Sequence, residues 1–180
     1  ELYLRWTQAM VFASHFRYHG TSDREPYAFP AVAEEVRAWL KFRYALIPYL
    51  RWTGEECARS GFPVMRALAL AYPEDPEAWA ADTQFLCGAD LLVAPVLGSG
   101  GFRSVYLPEG EWVDLWTGSV SAGPRRLPPE RSPLGRIPVY GRRGAVLPLY
   151  GAPLRCTDEM EDSRIVELRF DSGFSGIGSH

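Results

Sequence analysis

Lysine is almost missing from this chain: Lys41 is the only one, so the basic side chains are nearly all arginine. That skew reads as genome bias and does not by itself mark an anion site. A formal net charge of -3 leaves no field of one sign. It removes the electrostatic case for nucleic acid or an anionic membrane as partner. Cysteine is sparse, with Cys57, Cys87 and Cys156 far apart and odd in number. No CxxC or Cys/His ligand spacing occurs, which excludes a zinc motif and a disulfide framework and predicts reduced, mostly buried thiols. No apolar run approaches the roughly 20 residues of a membrane span. A signal-peptide pattern is missing too, so a cytoplasmic setting is the expectation. No methionine opens the chain; Glu1 begins directly in a helical pattern, as a cut inside a domain would. No cofactor and no metal are implied, and the residues leave the oligomeric state open.

What is present is an ordinary globular composition, 47% apolar and 23% charged over 180 residues. That length holds one large domain or two small ones with a real core. Leu2, Trp6, Ala9 and Met10 recur at helical spacing, with Leu4 and Val11 beside them, so residues 1–12 read as a helix. In the next stretch, 13–19, extended geometry has a period of two. It would put His15, Arg17 and His19 on one face and Phe16 and Tyr18 on the other. Gly20 ends that strand, and 21–30 is a polar, proline-containing loop. The helical period returns over 31–59 through Val32, Val36, Trp39, Leu40, Leu46, Ile47 and Leu50. Glu34 and Glu35 sit in its first turn, where the helix dipole favours carboxylates. Pro48 inside this pattern should kink or break the helix, and Gly61 and Pro63 stop it.

After Gly61 the texture changes to short apolar runs between Gly/Pro turns, at 64–72, 90–97, 104–107, 112–116 and 137–149. This is the pattern of a β-rich domain built from hairpins. A further strand is expected at 165–170, before the sequence decays into Gly and Ser and reads as a frayed end. The first part, a helix, a strand with polar side chains towards its end, and a long helix, fits the last turns of a (β/α)-barrel. There chemistry sits at the C-terminal ends of strands. One strand and two helices cannot close a barrel, and such a unit also suits many open sheets.

The ordered motifs add a resemblance. Glu1-Leu2-Tyr3-Leu4-Arg5-Trp6 with Gln8, Ser14-His15-Phe16-Arg17-Tyr18-His19-Gly20 and Arg43-Tyr44-Ala45-Leu46-Ile47-Pro48-Tyr49 open the series. It continues through Gly61-Phe62-Pro63-Val64-Met65-Arg66, Gly88-Ala89-Asp90-Leu91-Leu92-Val93-Ala94-Pro95-Val96 and Trp116-Thr117-Gly118, to Ile137-Pro138-Val139-Tyr140. Together, and collinear over roughly residues 1–150, they resemble glycoside hydrolase family 31, the α-glucosidases and α-xylosidases. The Ser-His-x-Arg-x-His-Gly form is closer to the α-xylosidase-like branch. The resemblance implies α/β plus all-β architecture: the C-terminal remnant of a (β/α)8 barrel over 1–60, a β-sandwich-like domain over 61–155, and a strand with a frayed tail over 156–180. It implies retaining hydrolysis of terminal α-linked glucose or xylose, with an oligosaccharide or α-glycoside as partner.

Retention requires two carboxyl groups about 5–5.5 Å apart, one as nucleophile and one as acid/base. In the family both are aspartates on earlier barrel strands, within Trp-x-Asp-x-Asn-Glu and a later Gly-Asp. Neither motif occurs here; Asp82, Asp90 and Asp114 match positions in the β domain or at its edge. The catalytic pair is therefore expected outside these residues, and the chain alone should be inactive. His19 matches the family's histidine after the last barrel strand, which hydrogen-bonds the sugar being cleaved. For His15 a supporting or packing role is expected, and for Arg17 an ion pair with a carboxylate beneath the site. Asp23, Arg24 and Glu25 lie on the loop where such barrels place specificity residues. Trp112 and Trp116, four apart in a strand, share a face and are expected in a core rather than as a sugar platform. Arg125-Arg126 and Arg142-Arg143 read as solvated turn charges. The other readings are a carbohydrate-binding β-sandwich module and a purely supporting scaffold.

Overall fold

The computed structural model describes residues 1–171, 173, 174 and 176. Helix α1 spans Leu2–Met10. Its apolar stripe does not face the core: Leu2 and Trp6 are exposed, while Leu4 is buried together with Arg5, Thr7 and Gln8. Helix α2 spans Ala33–Ser60 and runs through Pro48 without breaking. Proline forfeits one backbone bond there, and the ring is buried beside Tyr49 and Leu46, whose packing holds the helix together. Gly61 ends it in a left-handed conformation (φ 79°), its N–H returning to the Cys57 carbonyl. Only a residue without a Cβ adopts this backbone at little cost.

No strand forms over 13–19: the backbone bends over 13–15 and is irregular from there to 19. A strand exists only where a neighbour completes its hydrogen-bond ladder, and none lies beside this segment among the described residues.

From Met65 onward the chain builds a six-stranded antiparallel sheet, in the order β1-β2-β3-β6-β4-β5. Its strands are β1 (Met65–Ala67), β2 (Phe85–Cys87), β3 (Leu91–Val93), β4 (Phe102–Asp114), β5 (Val120–Arg131) and β6 (Val139–Arg142). Strand β7 (Val146–Tyr150) pairs with β8 (Ile165–Arg169) in a second, two-stranded sheet that packs on α2. The run read as one strand over 64–72 is split, with β1 turning into the short helix α3 (Leu68–Ala71). A second short helix, α4 (Pro76–Ala80), is capped by the Asp75 carboxylate. Strand β5 was not legible in the sequence, because it carries Pro124, Pro128 and Pro129 among exposed arginines. It pairs only with β4 at the sheet edge, where missing N–H donors are tolerated.

The large sheet separates two apolar cores. Leu91 and Val93 face the helices with Val139, Leu46, Tyr49 and Phe12, and Phe170 closes that layer. Leu92 points to the opposite face with Leu68, Leu86, Leu107, Trp112 and Tyr140, as the period of two in a strand requires. The three cysteines are free thiols. Only Cys87 is fully buried, whereas Cys57 is partly covered and Cys156 exposed, which corrects the expectation of mostly buried thiols. Desolvation pushes the Cys87 thiol up to about 12.

Helices and sheet meet at the loop 132–137, where six consecutive backbone carbonyls each receive a side-chain donor. Arg5 donates to Ser132 (3.0 Å), Pro133 (3.1 Å) and Arg136 (2.8 Å). Gln8 donates to Leu134 (2.7 Å), Trp39 to Gly135 (2.8 Å) and Trp116 to Ile137 (2.7 Å). Buried carbonyls left without partners would each cost roughly 1–3 kcal/mol. That cost is why polar Arg5 and Gln8 take the inner face of α1 and leave Leu2 and Trp6 outside.

Candidate substrate-contact segment

The segment 13–19 leaves α1 through Val11 and Phe12, both fully buried, and emerges at Ser14. From there exposure alternates. His15, Arg17 and His19 are exposed, while Phe16 and Tyr18 are partly covered. The period-two geometry read from the sequence is therefore kept without a ladder, and side chains anchor it instead. The Tyr18 ring stacks on Tyr3 at 5.1 Å and meets Phe16 edge-on at 5.2 Å. Thr7 gives its hydroxyl proton to the Tyr3 carbonyl (3.0 Å), so the Tyr18 hydroxyl donates to Thr7 Oγ1 (2.9 Å). Burial raises the pKa of Tyr18, and burial together with the neighbouring Tyr18 raises that of Tyr3, so both stay neutral donors. Tyr3 also stacks on Phe29 at 4.0 Å and donates to the Arg24 carbonyl (2.5 Å), which ties the 21–30 loop to the same aromatic column.

On the other side, the Arg43 guanidinium from α2 donates to the carbonyls of Val11 (2.6 Å), Ala13 (2.8 Å) and Ser14 (3.3 Å). It lies 5.5 Å from the Phe16 ring centroid. Desolvation lowers its pKa. Arg43 stood in a quoted motif, but nothing in its spacing marked it as an anchor. Its signal was only an arginine set among apolar residues, between Phe42 and Leu46, in the middle of α2.

Among the sequence-derived candidates, His15 does not pack: it is exposed, with Nδ1 3.2 Å from Ser14 Oγ. Arg17 forms no ion pair among the described residues, so the carboxylate expected beneath it is not here. The outward face of the segment is polar. Exposed apolar side chains lie on the helices, at Leu2 and Trp6 of α1 and Trp52 of α2. Asp23, Arg24 and Glu25 are exposed on the loop.

Asp82, Asp90 and Asp114 all lie in the β part. Asp82 is exposed after α4. The Asp114 carboxylate accepts the N–H groups of Trp116 and Thr117 (both 2.8 Å) and shapes the β4–β5 turn. Burial raises the Asp90 carboxyl, opposed by Arg142. Trp112 is fully buried and donates to the Pro108 carbonyl (2.8 Å). Trp116 lies beyond the strand end and packs edge-on against Trp39 in the other core. The turn at Asp114 thus puts the two indoles on opposite sides, and Trp112 cannot serve as a sugar platform. Arg142 is no solvated turn charge either. It is partly covered, 4.8 Å from the Trp112 ring and bonded to the Tyr72 hydroxyl (2.6 Å). Arg143 and Arg126 form surface pairs with Glu111 and Glu77.

Comparison with known proteins gives a consistent picture. Residues 1–51 match the model of the glycosyl hydrolases family 31 TIM-barrel domain, and 61–147 match the family 31 C-terminal domain. The alpha-xylosidase of Saccharolobus solfataricus is 34% identical over 180 residues, covering 98% of this chain and 24% of its own length. The alpha-glucosidase 2 of Bacillus thermoamyloliquefaciens is 34% identical over 173 residues, covering 93% of this chain and 22% of its own. A variant of the Flavobacterium johnsoniae family 31 dextranase, complexed with isomaltotriose, superposes with a TM-score of 0.80 at 37% identity. It covers 88% of this chain and 20% of that one. The chain thus spans about a quarter of the length of these relatives, or less.

Proposed function

The chain belongs to glycoside hydrolase family 31, and from that membership we propose that it serves in a retaining α-glycosidase acting on terminal α-linked glucose or xylose of oligosaccharides. In this reading residues 1–60 are the last helix–segment–helix of the catalytic barrel, 61–155 the supporting β domain, and 156–180 a strand and tail. His19 hydrogen-bonds the sugar at the cleaved bond, with Arg17 and His15 supporting it on the same exposed face. The nucleophile and the acid/base are aspartates outside these residues, so the isolated chain is inactive.

One observation carries the proposal. Phe16 and Tyr18 fix the segment through its inner side, leaving His15, Arg17 and His19 outward at the end of the helical layer. A hydrogen bond from His19 that tightens in the transition state would appear in kcat/KM. In an active enzyme carrying this segment, His19→Ala should lower kcat/KM on aryl α-xylosides or α-glucosides about tenfold or more, the scale of one such bond. An unchanged value removes the contact role. The purified chain should show no turnover on these substrates. Turnover that disappears when one of its own carboxylates is changed would overturn the placement of the catalytic pair.

A further inference from the structure

We propose that Arg43 is the positioning residue of the substrate-contact segment, doing from helix α2 what a neighbouring strand would do in a sheet. The proposal rests on the reading that 13–19 faces sugar. It starts from an accounting of backbone groups. The last carbonyls of a helix have no partner within it. At the end of α1, Thr7 and Met10 are served by the N–H groups of Val11 and Ala13. Val11, Ala13 and Ser14 then present carbonyls that no backbone N–H among the described residues takes up, and Arg43 collects all three.

The arrangement suits arginine alone. Its planar fork holds several donors in fixed directions, whereas a lysine ammonium is a compact point charge that cannot span separated acceptors. The negative end of the α1 dipole lies at the same place and favours a cation there. No carboxylate balances Arg43 among the described residues, so its charge is satisfied by carbonyl dipoles and by the Phe16 face. Phe16 and Tyr18 alternate with His15, Arg17 and His19, so fixing Ser14 and Phe16 sets the direction in which the outward residues point. A misplacement of about 1 Å at a contacting group can cost on the order of a hundredfold in rate. That sensitivity makes an anchor of this kind matter for chemistry as well as for folding.

The segment carries its own reporter, because the exposed Arg17 is a tryptic site. In the chain as it stands, Arg43→Lys and Arg43→Gln should each speed cleavage after Arg17 about tenfold or more. Cleavage after Arg37, on α2 itself, should stay at the wild-type rate. Unchanged cleavage after Arg17 in both variants would overturn the proposal. Equal acceleration at Arg17 and Arg37 would also overturn it, since Arg43 would then hold the helical layer as a whole. In an active enzyme carrying the segment, Arg43→Lys should lower kcat more than it raises KM; a change in KM alone would count against positioning. The two readings fail separately. If His19→Ala leaves kcat/KM intact while Arg43→Lys frees Arg17, the sugar contact falls and the anchor stands. If His19→Ala is costly while Arg17 stays protected in Arg43→Lys, the anchor falls and the contact stands.

Discussion

The helical layer and the sheet are held together by different chemistry. In the sheet, β3 is buried throughout, flanked on both edges by ladders and on both faces by apolar cores. Its stability is that of an ordinary interior, in which backbone groups pair with each other and side chains exclude water. In α1 and the segment after it, Arg5, Thr7 and Gln8 are buried and Leu2 and Trp6 are not. Backbone carbonyls are met there by guanidinium and amide donors instead of by other backbone. A ladder needs only backbone groups, whereas these junctions depend on particular side chains: Arg5, Gln8, Trp39 and Trp116 at the 132–137 loop and Arg43 at the segment. The sheet should therefore tolerate polar surface changes, and the helical layer should be sensitive at a few polar positions.

The largest effect that would test this contrast is in the sheet. Trp112→Ala empties a fully buried site in the core away from the helices. It should cost about 3–5 kcal/mol in urea unfolding. A loss below about 1 kcal/mol would mean that the sheet is not held by that core. Arg5→Met comes next. It removes three bonds and, among the described residues, leaves the Ser132 and Arg136 carbonyls unserved, while Pro133 keeps the Arg136 N–H (3.2 Å). A loss of about 1.5–3 kcal/mol is expected, the range for hydrogen bonds to charged groups. Amide exchange should rise in α1 and in 132–137 but not in β3. Uniform exchange across all three would erase the distinction between the regions.

The smallest effect concerns Asp90, on the sheet side. Its carboxyl pKa is raised in the folded state, chiefly by desolvation. The folded protein therefore holds this proton more tightly than the unfolded chain does. Asp90 then costs stability as pH rises from the unfolded pKa through the folded one, and the cost persists at neutral pH. Asp90→Asn should be slightly more stable than wild type at pH 7 and indistinguishable from it well below the unfolded pKa. A destabilised variant at pH 7 would show that attraction to Arg142 outweighs the burial.

Much of the sheet was legible because its signals are local. Short apolar runs between Gly and Pro turns marked β3, β4, β6 and β7, and Gly61 marked the end of α2. Strand β5 was hidden by its prolines, which only an edge position allows. The turn at Asp114 parted two tryptophans that a continuous strand would have kept together. In the candidate site the alternation of His15, Arg17 and His19 against Phe16 and Tyr18 followed directly from the order of residues. The inverted burial of α1 did not, because helical periodicity identifies a stripe but cannot say which neighbour that stripe meets.

The sequence by itself determined which residues would be outward in the segment 13–19, where helix gives way to sheet, and which family the motifs belong to. These follow from chemistry read along the chain: the two backbone periods, the positive φ that Gly61 allows, and an ordered set of motifs. Only the tertiary structure decided what holds the segment in place and what joins helices to sheet. Arg43 and the 11–14 carbonyls are about 30 positions apart, and Arg5 and the 132–136 carbonyls more than 120. Carbonyls are common to every residue, so nothing in the amino-acid alphabet marks the ones that need a partner. Their need arises when folding takes them out of water, and their donors are known only once the chain has brought them there.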